Sequence, residues 1–181
     1  MNHRRSGMCF LRTAATAWRA LALLALLLWG AELQVLAAEP QPGCAGLLTA
    51  SELGAISPGA EEMDAIARGD GHSECSWSVR GGGEATTLTL TFWEASGMAN
   101  ALVPADSPEE FFEIYVKSAE QVRGKKREAL KGVGMRSALF RDGALRELYV
   151  LTRTGVAHLL TDGLNDTQIA AVGKAVGSGT P

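Results

Sequence analysis

The chain has 181 residues, with 17 basic and 20 acidic side chains, a net charge of -3, 46% hydrophobic and 20% charged residues. That composition excludes a disordered acidic tail and a multi-span membrane protein, and sets a single folded domain as the expectation. The acidic balance also removes the broad attraction to phosphate on which non-specific nucleic-acid binding depends, so no nucleic-acid partner is expected.

The N-terminus carries Arg4, Arg5, Arg12 and Arg19 with no acid among residues 1–19, and runs into the apolar stretch 20–29. A basic region followed by an apolar one is the pattern of a secretory signal. The apolar run extends over about ten to twelve residues before Glu32, short of the roughly 20 that a spanning helix needs. Ala37 and Ala38 offer a signal-peptidase site, and Pro40 and Pro42 stop any helix beyond it. We therefore expect a signal peptide over 1–38, cleaved near Ala37–Ala38 after Sec export, with an uncleaved anchor as the alternative. Arg4-Arg5 lacks the apolar residues that follow a twin-arginine signal. Cys9 precedes the apolar run and Cys44 follows Gln41-Pro42-Gly43, so neither is placed as a typical lipoprotein acceptor.

Without residues 1–38 the chain keeps two cysteines, Cys44 and Cys75, and has 13 basic and 19 acidic side chains, a net charge of -6. In an oxidising compartment the two cysteines are expected to form a disulfide, with two buried thiols as the alternative. Closing a loop of roughly 32 residues stabilises a fold by about 3 to 4 kcal/mol on the chain-entropy estimate. No membrane span is expected to remain after cleavage, and the compartment is periplasmic or extracellular.

A Pro/Gly-rich lead-in over 39–46 opens the mature chain. Thr49 with Glu52 three residues on has capping-box spacing, which starts a helix that Ser57-Pro58-Gly59 ends. Residues 60–73 are small, acidic or Gly-rich and read as loop, with a turn of helix at most over 61–67. From 74 to 80 the pattern alternates, Cys75, Trp77 and Val79 on one face, and from 85 to 93 it alternates again, Leu88, Leu90 and Phe92 against Trp93. With Gly81-Gly82-Gly83 between them these segments read as an antiparallel hairpin. Ser107-Pro108-Glu109-Glu110 combines an N-cap, proline at the first helical position and acids at the positive end of the dipole. That helix runs to about Arg123 with Gly124 as its stop. Two or three strands follow around 137–140, 145–152 and 156–161, with Thr154-Gly155 as the last tight turn. A helix over 166–176, capped by Asn165 or Asp166, closes the domain. The sum is a single α+β domain over 47–177 with a flexible tail at 178–181: an antiparallel sheet of about four to five strands, with two or three helices packed mainly on one face.

Cys44 with Leu47, Leu48, Thr49 and Glu52, Cys75 with Trp77, and Gly132-Val133-Gly134 with Ala138 resemble the motifs of the DUF3558 family of small exported bacterial proteins. The resemblance covers most of residues 44–161. It implies an exported domain of similar fold and no particular activity; many members look like lipoproteins, from which this chain departs.

Chemistry-bearing residues are sparse. His72 and His158 lack a second ligand at metal spacing, so neither a metal nor a cofactor is expected. No Gly-x-Ser-x-Gly elbow is present, and Cys44 and Cys75 are too far apart for a redox pair. Two surfaces remain. Lys125, Lys126 and Arg127, between Arg123 and Lys131, make a local basic patch, which neighbouring glutamates can also neutralise. With Leu88, Leu90 and Phe92 in the core, parity turns Trp93 outward. A turn at Thr154-Gly155 would pair Leu151 with His158 and Tyr149 with Leu160, giving an exposed strip of Trp93, Tyr149 and His158. The last helix or the 60–73 segment covering that strip is the alternative. The expectation is a non-catalytic binding module of the cell envelope, meeting an envelope protein or small ligand. A hydrolase-like envelope enzyme with a site drawn from distant residues, and an inhibitor or structural partner of an envelope protein, stay open.

Overall fold

The computed structural model describes residues 43–69, 71–81 and 84–179. The expected signal peptide, Cys9, the first part of the lead-in, the turn at Gly82-Gly83 and the end of the tail lie outside the described residues. Within them the order is α1 (Gly43–Leu47), α2 (Ala50–Ile56), β1 (Glu61–Gly69), β2 (His72–Gly81), β3 (Glu84–Glu94), a 3-10 turn (Ala95–Asn100), α3 (Pro108–Arg123), β4 (Arg136–Asp142), β5 (Leu145–Leu151), β6 (Gly155–Thr161) and α4 (Asp166–Ser178).

Local chemistry sets the helices. Thr49 and Glu52 close a reciprocal capping box on α2, and Asn165 with Gln168 does the same for α4. The Ser107 hydroxyl accepts the Glu110 N–H at the start of α3, and Gly124 ends that helix with φ 61°. Each cap satisfies amides or carbonyls that the helix itself leaves unpaired.

The strands form one antiparallel six-stranded sheet in the order β1-β2-β3-β6-β5-β4. The α+β fold is the one expected, with one strand more than the count read from the sequence. The extra strand is β1. Residues 61–69 pair with β2 through two irregularities, at Met63 and Arg68, that break the alternation a strand is recognised by. Being an edge strand, exposed or half-buried along its length, it needs no apolar repeat.

Helices pack on both faces of the sheet. On one, Cys75, Trp77, Leu88, Leu90 and Phe92 pack with Leu148, Val150, Ala157 and Leu159 beneath α1, α2 and α4. Cys44 and Cys75 are joined by a disulfide, with Cα atoms 6.0 Å apart, that ties α1 to β2 inside this core. On the other face Phe111, Phe112, Val116 and Ala119 of α3 pack on Ala138, Phe140, Tyr149, Leu151 and Val156. Three of the four described helices thus share one face and the longest takes the other.

The β5–β6 hairpin differs from expectation by two residues. Leu151 pairs with Val156 and Tyr149 with His158, because the turn centres on Arg153-Thr154. The Thr152 hydroxyl accepts the Gly155 N–H and donates to the Gly155 carbonyl, both at 3.0 Å, which closes it there. A slip of two leaves every side chain on its expected face.

Candidate functional site

Register and parity bring four rings into line on the α3 face. Trp93 lies opposite His72 of β2, and Tyr149 of β5 opposite His158 of β6. Thr91 is the cross-strand neighbour of His158, so Trp93 is its diagonal neighbour. The rings stack in sequence: His72 on Trp93 with centroids 5.3 Å apart, Trp93 and His158 at 6.5 Å, and His158 on Tyr149 at 4.5 Å. Phe111 and Tyr115 of α3 then tilt onto Trp93 at 5.4 and 5.3 Å. The predicted trio Trp93, Tyr149 and His158 therefore meets, but not as an exposed strip. Tyr149 is 6% exposed, and the cover is α3 rather than the last helix or residues 60–73. The opposite face is already filled by α1, α2 and α4, which leaves this one for the apolar stripe of α3.

Beside the stack lies a buried charge that sequence reasoning missed. Glu147 is 6% exposed and takes a 2.8 Å hydrogen bond from the Tyr149 hydroxyl. His158 Nε2 lies 3.0 Å from the same Oε1, and Arg123, in the last turn of α3, forms an ion pair with Oε2. Burial alone would raise the Glu147 pKa. The hydrogen bonds of His158 and Tyr149, the coulombic pull of His158 and the hydrogen bond of Arg123 outweigh it and hold the pKa at about 2. Burial, then the adjacent Glu147 charge, pushes the Tyr149 phenol up, so it stays protonated and donates. Burial also lowers the pKa of His72, against the pull of Glu74. A histidine oriented by a carboxylate is one half of a general-base arrangement. Among the described residues no hydroxyl or thiol is hydrogen-bonded to His158, and the network's evident action is to fasten the end of α3 to β5 and β6.

The basic run follows directly on the Arg123 end of α3, about 20 Å from the turn that carries Phe111. Lys125 Nζ is 2.9 Å from both Asp142 Oδ1 and the Arg141 carbonyl. Arg127 spans both oxygens of Glu113 at 3.2 Å and faces Glu120. Lys126 is exposed and has no ion pair among the described residues. Much of the patch is thus held in local pairs, as the glutamates around it allow. No set of three or more His, Cys, Asp or Glu side chains among the described residues is arranged to hold a metal ion.

One part of the sheet carries no helix among the described residues. α3 lies over β5 and β6 and reaches the end of β3, so the same face of β1, β2 and most of β3 stays open. It presents the hydroxyls of Ser76, Ser78, Thr87, Thr89 and Thr91 beside Glu61, Asp64 and Glu74, and Trp93 and Tyr115 stand at its border. Residues 61–94 hold seven acids and two arginines, so much of the negative charge of the chain gathers here. Among the described residues no helix is long and apolar enough to cross a membrane. Comparison of the chain with protein-family models, with curated proteins and with solved structures found no match.

Proposed function

We propose that the protein is an exported, disulfide-stapled binding module of the cell envelope, and that the open half of the sheet receives a basic, extended segment of a partner protein. The observation that carries this reading is the face of β1–β3 that no helix covers among the described residues, on a sheet whose other surfaces lie under helices. Its hydroxyl rows offer donors and acceptors to a polar chain, and Glu61 and Asp64, with Glu74 beside them facing Arg68 at 3.6 Å, supply the complementary charge. The buried Cys44–Cys75 bridge supports a compartment where disulfides persist. The basic stretch and apolar run before Glu32 support the route there. Kinship with the DUF3558 family belongs to the same proposal and rests on the motifs around Cys44, Cys75 and Gly132.

The test is a titration of the isotopically labelled protein with a lysine-rich peptide of about eight residues, followed by amide chemical shifts. The expected result is a cluster of shifts at Ser76, Ser78, Thr87 and Thr89, weakened at least tenfold by Asp64→Lys with Glu74→Lys and by raised salt. Shifts confined to other surfaces, or none, contradict the reading. The enzyme alternative has one observation in its favour, the carboxylate-bound His158 beside Thr91. It requires hydrolytic turnover that His158→Gln abolishes without loss of folding.

A further inference from the structure

Next to the basic run, the segment joining α3 to β4 encloses a groove of about 490 Å³, within the size range of small-molecule sites. Its shape is fixed from outside. The Ser137 hydroxyl accepts the Leu130 N–H at 2.9 Å and donates to the Leu130 carbonyl at 3.1 Å, closing the loop on itself. The Met135 N–H donates to the Leu151 carbonyl, and Val133 is buried against the glycine at 173 of α4. The lining divides by chemistry. Phe112, Leu130, Val133 and Met135 give apolar surface, and Met135 is 56% exposed, one of few large apolar side chains in that state among the described residues. Arg127 and Arg136 give guanidinium groups.

Those guanidiniums are positioned but not used up. Both meet the Glu113 carboxylate, which acts as an internal counter-ion, and Arg136 lies over the Phe112 ring at 5.3 Å. Each guanidinium carries five N–H donors. Among the described residues, Nη2 of Arg127 and Nε and Nη1 of Arg136 have no hydrogen-bond acceptor. Nor do the backbone amides of Lys131 and Gly132. Gly132 and Gly134 line the groove with φ of 72° and 58°. Positive φ at a glycine is one half of the αR–αL pairing from which backbone anion sites are built. Lys131, exposed and between the lining residues Leu130 and Gly132 in sequence, adds a third cation to set against the two acids Glu113 and Glu120.

We propose that this groove binds an oxyanion that carries a short apolar chain, as in an alkyl phosphate. The anionic head takes the free guanidinium and amide donors, and the chain lies on Met135, Val133 and Phe112. A free amphiphile and a membrane lipid headgroup share this chemistry, and the test separates them. Hexyl phosphate and inorganic phosphate are titrated into the labelled protein and the amides of residues 131–136 are followed. The expected result is movement of these amides by both probes, with hexyl phosphate binding at least tenfold more tightly. Arg136→Gln weakens both probes at least tenfold, whereas Met135→Ser narrows the gap between them and leaves inorganic phosphate unchanged. Sedimentation with phosphatidylglycerol but not phosphatidylcholine vesicles, lost in Arg136→Gln, assigns the ligand to a bilayer. Attachment by the N-terminal apolar run is common to both proteins and cancels in that comparison. Binding of hexyl phosphate without a vesicle difference assigns it to a free amphiphile. No movement at residues 131–136 with either probe at millimolar concentration overturns the proposal, as does unchanged affinity in a folded Arg136→Gln protein.

Discussion

Replacing Glu147 with glutamine removes one charge from the junction of α3, β5 and β6 and keeps the shape. Its folded pKa of about 2 lies well below the 4.5 of an ordinary glutamate, and at about 1.4 kcal/mol per pH unit the difference corresponds to about 3 kcal/mol of stability. Arg123 is 23% exposed and keeps some contact with water, which brings the expected loss at neutral pH to about 2 to 3 kcal/mol. Because the folded pKa is depressed, the contribution is fully present above pH 4.5 and disappears as pH falls through about 2. Other carboxylates held low by arginine or lysine partners, Glu113, Glu128, Asp142 and Asp166, also release stability in acid. The quantity that isolates Glu147 is therefore the difference between wild type and Glu147→Gln. Urea unfolding at pH 7, 4 and 2.5 measures it. The difference should be about 2 to 3 kcal/mol at pH 7 and shrink steadily toward pH 2.5. A variant within 0.5 kcal/mol of wild type at pH 7, or a difference that does not change with pH, would refute the assignment of this carboxylate as the charged tie between α3 and the sheet.

Further outcomes follow from named contacts. Replacing Cys44 and Cys75 together by alanine opens a loop of separation 31 and should lower the unfolding free energy by about 4 kcal/mol in denaturant titration, or prevent folding outright. Gly155→Ala places a Cβ against the Trp93 carbonyl and 2.8 Å from the Phe92 ring. Thermal melts should show a loss of about 1 to 3 kcal/mol, whereas alanine at the open glycine 54 in α2 should raise stability by about 0.5 to 1 kcal/mol. Ser107→Ala removes the acceptor for the Glu110 N–H, 3.1 Å away, and should cost about 1 kcal/mol, seen as earlier hydrogen exchange in the first turn of α3.

What could be read from the sequence and what could not divide along the range of the interactions. The caps Thr49, Ser107 and Asn165 and the stop at Gly124 act within four residues, so their helices are legible with no tertiary context. β2 and β3 alternate because one of their faces is fully buried. β1 is half hidden from such reading, since an exposed, bulged edge strand has no buried face to impose a period. The site divides in the same way. Parity alone placed Trp93, Tyr149 and His158 on one side of the sheet, but their cover depends on where α3 docks. Glu147 is two residues from Tyr149 and shares its face, a signal that was there to use. Its importance comes from Arg123 on α3 and His158 on β6, which no local pattern joins to it.

The central claim is an exported domain stapled through Cys44 and Cys75. The measurement that tests it most directly is the intact mass of the protein recovered from cell envelope and medium, without and with reduction. A mass beginning at Ala38 or Glu39, two hydrogens lighter before reduction than after, is the predicted result. A full-length chain with free thiols would contradict both the compartment and the staple on which the binding reading stands.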